Sequence, residues 1–229
     1  MADQTPILLA CDTTQSACSV AVKIGAAEAR QTVLEMSRGH AETLMPLMQD
    51  FIAAEGVAMG DVTHLAVTVG PGTFTGTRVG LSAMRGLALA LNLPLVGIGS
   101  LQAMALAGQA ARPRLVAIDA RRDSFYCQAF SADGSVLSPP QALGLSDAAA
   151  LIGGEEQVAV IGTGKLALAA LDARFLPDSA PDFPQACHVA ALAAQLPPED
   201  WRGDPPAPLY LRPPDATLPD KSKALLRAP

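Results

Sequence analysis

Twice in this chain an apolar run ends on an aspartate, first at Ile7-Leu8-Leu9-Ala10-Cys11-Asp12 and again at Arg114-Leu115-Val116-Ala117-Ile118-Asp119. Each run is followed by a candidate hairpin partner, Cys18-Ser19-Val20-Ala21-Val22-Lys23 in the first case and Ser124 to Phe130 in the second, with Asp133-Gly134 as a turn. Ala29 to Leu34 can add a third strand, which makes the beginning of the chain an antiparallel meander. A second apolar run then leads into glycine in both halves. Leu65-Ala66-Val67-Thr68-Val69 enters Gly70-Pro71-Gly72, and Val158-Ala159-Val160-Ile161 enters Gly162-Thr163-Gly164. From the acid to the first glycine is 58 positions in the first copy and 43 in the second, so the second has less room for a long helix. Either match alone is compatible with chance. The shared order of features favours a degenerate duplication, two α/β lobes of related topology.

The expected boundaries are 1–111 for the first lobe, closed by Arg112-Pro113, 112–203 for the second, and 204–229 for a proline-rich C-terminal segment. That last segment reads as extended, with Leu209-Tyr210-Leu211-Arg212 able to dock back and a mobile tail from Lys221. Half of the residues are hydrophobic and only 17% are charged, which supplies an ample core. The net charge of −6 argues against autonomous nucleic-acid binding, which normally needs a basic stripe. The N-terminus lacks the pattern of a signal peptide and no apolar run reaches membrane-span length. Cys11, Cys18, Cys127 and Cys187 form no C-x-x-C pair and read as reduced core residues, so the expected location is the cytoplasm.

The glycine turn of the first copy opens a dense glycine stretch, Gly70-Pro71-Gly72-Thr73-Phe74-Thr75-Gly76-Thr77-Arg78-Val79-Gly80. It sits where a strand hands over to a helix running from Val79 to Leu91, a place where backbone N–H groups can meet an anion. It lacks the Gly-Lys-Ser/Thr ending of a P-loop and the G-x-G-x-x-G spacing of a dinucleotide fold. Upstream, a helix is expected from His40 to Ala54, interrupted or started near Pro46. Its apolar residues, Leu44, Met45, Leu47, Met48, Phe51 and Ile52, cover an arc of roughly 160°. That is broader than covering a sheet requires, which leaves a flank for a second partner. After a short strand at Leu95 to Ile98, Ser100 is expected to cap a third helix reaching Ala110, and short helices are expected at 146–152, 165–173 and 187–196.

Chemistry-bearing constellations are sparse. His40, His64 and His188 show no H-x-x-x-H or H-E-x-x-H spacing, and there is no G-x-S-x-G. Asp12 and Asp119 are the paired carboxylates, one closing the leading strand of each lobe, but neither is followed by the glycines that let a phosphate approach the backbone. The expectation is therefore no catalytic residue and no metal ligand in this chain. A stand-alone ATPase or kinase is the alternative that the paired acids leave open; a metallo-glycoprotease-like hydrolase is a further alternative only through the family resemblance described next.

These residues resemble the TsaB family, also called YeaZ. The resemblance rests on Ile7 to Thr14, Cys18 to Ala21, His40-Ala41-Glu42 with Pro46, the whole of Gly70 to Gly80, Gly86-Leu87-Ala88, Pro94, Gly97 to Leu101 and Pro208-Leu209-Tyr210-Leu211-Arg212. Thr73 stands where serine is usual and Thr77 where an aliphatic is usual. The resemblance implies an actin-like/sugar-kinase/Hsp70 (ASKHA) duplicated two-lobe fold with a shortened second lobe. It implies a non-catalytic subunit that binds the paralogous transferase TsaD, with the ATPase TsaE joining, to make threonylcarbamoyladenosine beside the anticodon of tRNAs reading A-starting codons. ATP or ADP and a metal are then expected on the partner subunits, and tRNA is reached only through the complex. Where TsaD carries its H-x-x-x-H pair this chain has Ser100 and Met104. The family's docking surface falls on residues 40–54 and 76–91, which makes His40, Leu44, Leu47, Met48 and Phe51 interface candidates on the first helix. On the second they are Val79, Ala83, Met84 and Leu87, with Arg78 and Arg85 at the rim. A homodimer could use the same face. Asp12, Gly72 and Asp119 are the candidates for nucleotide contact.

Overall fold

The computed structural model describes residues 5–108, 111–154 and 157–212. The expected tail from Lys221 and the end of the third helix at 109–110 lie outside these residues. The chain opens with β1 (Ile7–Asp12), β2 (Ala17–Ile24) and β3 (Arg30–Glu35), the meander expected from the sequence. It continues through α1 (His40–Ala54), β4 (His64–Gly70), α2 (Phe74–Leu91), β5 (Leu95–Gly99) and α3 (Ser100–Ala107). The second half contains β6 (Arg114–Asp119), β7 (Ser124–Phe130), β8 (Gln141–Gly144), α4 (Leu145–Ala150), β9 (Val158–Ile161), α5 (Lys165–Leu171), β10 (Phe175–Pro177) and α6 (Ala186–Ala193).

The first sheet has the order β3-β2-β1-β4-β5 and the second β8-β7-β6-β9-β10. Pairing directions also match. β1–β2 and β2–β3 are antiparallel while β1–β4 and β4–β5 are parallel, and β6–β7, β7–β8, β6–β9 and β9–β10 repeat that pattern. The duplication inferred from two apolar runs is thus present strand for strand, and it defines a two-lobe α/β fold of the actin-like class.

Alternation explains why β1 is apolar throughout. Leu9 and Cys11 face the core beneath α1 and α2, while Leu8 and Ala10 face the opposite layer, where Ala103 of α3 and Ala186, Val189 and Ala190 of α6 pack. A strand covered on both faces has no polar side to show. Small residues let α6 lie close to the sheet. Although it follows the second sheet in sequence, α6 packs on β1 and β2 of the first. Leu101 and Met104 of α3 fill the layer between the sheets against Val116, Ile118 and Ile161.

Two helix starts differ from the sequence reading. α2 begins at Phe74 rather than Val79, because Thr73 is a true N-cap whose hydroxyl accepts from Gly76 N at 3.1 Å. Seven of the eleven residues of the glycine stretch are therefore helix. Ser100 does not cap α3. It is fully buried, and its hydroxyl donates to Thr14 Oγ1 at 3.2 Å. α1 runs through Pro46 without interruption, with Leu44, Met48 and Ile52 on its buried side.

Candidate docking face and inter-lobe cleft

Asp12, at the end of β1, is enclosed completely. Its Oδ1 accepts from Thr14 N at 3.2 Å, Thr14 Oγ1 at 2.6 Å and Thr68 Oγ1 at 2.5 Å, whereas Oδ2 has no hydrogen-bond partner. Burial pushes its pKa up to about 6, against the pull of the Thr14 and Thr68 donors. The carboxyl is a core hub joining β1, β4 and, through Thr14, α3. The expectation of a nucleotide contact at Asp12 falls on an enclosed side chain.

The glycine stretch is closed for a related reason. A Cβ at Gly72 would lie 2.6 Å from Thr14 O, one at Gly76 2.0 Å from Thr13 O, and one at Gly80 2.7 Å from Thr13 Oγ1. These glycines let the stretch rest directly on the β1–β2 turn. Three of its donors are also committed. Thr73 N bonds Thr14 O at 2.8 Å, Gly76 N bonds the Thr73 hydroxyl, and Thr77 N bonds Thr73 O at 3.0 Å. In the second lobe Gly164 N donates to Ala117 O at 2.9 Å. A phosphate cradle needs those N–H groups unengaged. Of the expected nucleotide contacts, Asp12 is thus enclosed and Gly72 rests on Thr14.

Asp119, the third expected nucleotide contact, is exposed and borders a cleft of about 810 Å³ between the lobes. Gln15, Arg38, His40 and Thr75 line it from the first lobe, and Asp119, Arg121 and Thr163 from the second. Asp119 Oδ1 accepts from Arg121 N at 2.7 Å, and the Thr163 hydroxyl accepts from Asp119 N at 2.8 Å. Arg121, Arg122 and Asp123 all have φ between 54° and 63°, a left-handed run that non-glycine residues adopt only when their surroundings hold them. His40 Nε2 lies 3.0 Å from Gln15 O, tying the start of α1 to the β1–β2 turn.

Between α1 and α2 runs a second, mostly apolar groove of about 470 Å³, bordered by Ala41, Met45, Phe74, Val79, Ser82 and Ala83. Here the expected interface residues divide. Leu47, Phe51, Val79, Ala83 and Leu87 are half-buried and reach the surface. Leu44, Met48 and Met84 are 1%, 0% and 0% exposed and belong to the first-lobe core, with Leu44 also lining the groove from beneath. The wide apolar arc of α1 was two things, an inward row at Leu44, Met48 and Ile52 and a flank beside it. Arg78 and Arg85 are exposed, yet both donate to the C-terminal segment, to Tyr210 Oη at 2.8 Å and Pro206 O at 3.0 Å respectively. The sequence reading missed Phe74, 56% exposed with the Arg78 guanidinium 3.6 Å over its ring, and Leu89, 86% exposed. Both fall on the outward stripe of α2, and for Phe74 the signal is legible only once the helix is known to start there.

Three histidines exist, and they stand apart in function. His64 Nδ1 meets the Thr63 hydroxyl at 2.8 Å and its ring sits edge-on to Trp201, while His188 is largely buried in α6 with its pKa lowered by burial. Among the described residues, no group of three or more His, Cys, Asp or Glu side chains is placed to hold a metal ion. No described helix is long and apolar enough to cross a membrane.

The matched strand order, the two aspartates and the paired glycine turns place the chain among duplicated two-lobe proteins of the actin-like class. More narrowly, the family model described as TsaD, tRNA N6-adenosine threonylcarbamoyltransferase, matches residues 34–170, and the chain belongs to that family on its TsaB (YeaZ) side. It is 36% identical over 130 residues to the tRNA threonylcarbamoyladenosine biosynthesis protein TsaB of Escherichia coli (strain K12), a match covering 55% of each chain. It is 44% identical over 79 residues to a tRNA N6-adenosine threonylcarbamoyltransferase of Jannaschia sp. (strain CCS1), covering 34% of this chain and 21% of that one. The chain thus spans about half the length of the TsaB relatives it matches. In structure it is similar to a Pseudomonas aeruginosa protein described as uncharacterized with similarity to peptidase YEAZ, with a TM-score of 0.75 at 29% identity, covering 90% of this chain and 100% of that one.

Proposed function

We propose that this protein serves tRNA threonylcarbamoyladenosine biosynthesis as a non-catalytic accessory subunit that docks the TsaD transferase through its α1–α2 face. The observation that carries this reading is the apolar groove between the two helices, lined by the half-buried Met45, Val79 and Ala83 and by the exposed Phe74 and Ser82. One large apolar side chain contributes roughly 1.5–3 kcal/mol when buried, and association costs on the order of 4–15 kcal/mol. A flank of one helix is marginal, so the docking face takes both. The closed glycine stretch and the enclosed Asp12 support the absence of a self-contained nucleotide site. ATP or ADP and a metal then belong to TsaD and to the ATPase TsaE. With a net charge of −6, tRNA is reached through the complex, in the cytoplasm. A second copy of the chain occupies the same face when TsaD is absent.

Reconstitution tests this. tRNA modification with TsaD, TsaE, ATP and the threonylcarbamoyl donor should require this protein, and the protein alone should modify nothing. Modification at full rate without it overturns the reading. Stoichiometric Mg-ATP binding by the isolated chain would favour a stand-alone ATPase instead, and peptide hydrolysis by the isolated chain a hydrolase.

A further inference from the structure

The sequence singles out Pro208-Leu209-Tyr210-Leu211-Arg212, to which the proposed function assigns no role. In the structure this stretch lies across the molecule. Pro206 sits on Gly97 of β5, where a Cβ would be 2.7 Å from its own Cβ, and its carbonyl accepts from Arg85 of α2. Leu209 N donates to Val69 O of β4 at 2.7 Å. Tyr210 stacks on Phe74 with centroids 5.8 Å apart and takes the Arg78 hydrogen bond. Two residues later the segment has reached the other lobe. Arg212 Nη1 donates to Ala120 O at 2.8 Å and Nη2 to Arg121 O at 3.1 Å, with the guanidinium 5.7 Å from the Tyr126 ring centroid.

We infer that residues 206–212 form a strap that fixes the angle between the two lobes. Two features make it more than a passive crossing. Its first-lobe end is anchored by contacts to β4, β5 and α2, so it cannot slide. Its second-lobe end grips the carbonyls of the Ala120–Asp123 turn, where Arg121, Arg122 and Asp123 hold left-handed backbone that needs external support. Bidentate, charge-assisted bonds from a planar guanidinium supply both strength and direction. Releasing Arg212 frees the turn and, with it, the width of the cleft bordered by Asp119 and Arg121.

Spin labels at Asp50→Cys in α1 and Leu166→Cys in α5, both exposed, in a Cys187→Ser background, report the lobe separation by double electron–electron resonance. The strap predicts one narrow distance distribution for the parent. It predicts a clearly broadened one for Arg212→Ala, with about tenfold faster hydrogen exchange at the Ala120 amide, which bonds Ser124 O at 2.9 Å. Arg212→Lys, which keeps the charge but not the fork, should fall between them. Arg212 is only half-buried, so the fold survives its truncation, and unchanged exchange in β1 and β2 verifies this. Identical distance distributions and an unaltered Ala120 exchange rate in Arg212→Ala overturn the strap.

Discussion

Asp12→Asn isolates the energetic consequence of burying a carboxyl with one oxygen unpartnered. The side chain is wholly buried and its pKa is pushed from 3.8 to about 6. At 1.36 kcal/mol for each pKa step, the ionised form disfavours the native state by about 3 kcal/mol. The sign follows from the direction of the change. A native pKa above the unfolded one means that the folded protein holds its proton more tightly. The associated stability is therefore complete below pH 3.8 and lost as the pH rises through about 6. An asparagine accepts the same Thr14 and Thr68 donors through Oδ1 but does not titrate. Its fixed cost, an amide placed where Oδ2 has no partner, is the same at every pH. Urea unfolding of both proteins at pH 4 and pH 8 separates the two terms. The variant should gain on the parent by about 2 kcal/mol between those values, most of the gain falling below pH 6. Parallel stability profiles would refute the account of Asp12 as a desolvated acid.

Other outcomes follow from the packing. Gly76→Ala places a methyl 2.0 Å from Thr13 O, so it should lower stability by on the order of 3 kcal/mol or more, whereas Gly86→Ala, with nothing within 4 Å, should raise it by about 0.5–1 kcal/mol. Thermal melts of the two variants give opposite shifts in Tm if the close approach is real. Met48→Asp buries an unpaired charge in the first-lobe core and should cost about 4 kcal/mol or more, seen as loss of the cooperative unfolding transition and not as a selective binding defect.

The strand framework was legible because buried strands carry their signal in continuous apolar runs, and the repeat made each run evidence for the other. β8 and β10 went unread, since four and three residues are too few to show a period. Ser100 misled because a serine before an apolar stretch is the usual cap signature, and only tertiary contact reveals that its hydroxyl serves Thr14. The docking face was half legible. Periodicity places Leu44, Met48 and Phe51 on one broad side of α1 but does not say how deep the neighbouring sheet reaches, so core and flank merged. Arg78 and Arg85 look like rim charges in sequence, and their partners lie 132 and 121 residues away. The paired Asp12 and Asp119 suggested facing acids. Their surroundings differ so much, one enclosed and one exposed, that the symmetry of the strands is not a symmetry of chemistry.

Sedimentation velocity of this protein mixed with TsaD tests the central claim most directly. Ser82 is exposed on the groove and Met45 is half-buried at its border, so Ser82→Arg and Met45→Glu alter the docking face. The parent should form a heterodimer with TsaD, and the double variant, folded by circular dichroism, should sediment apart from it at the same concentrations. An undiminished heterodimer boundary for the double variant would contradict docking through α1 and α2.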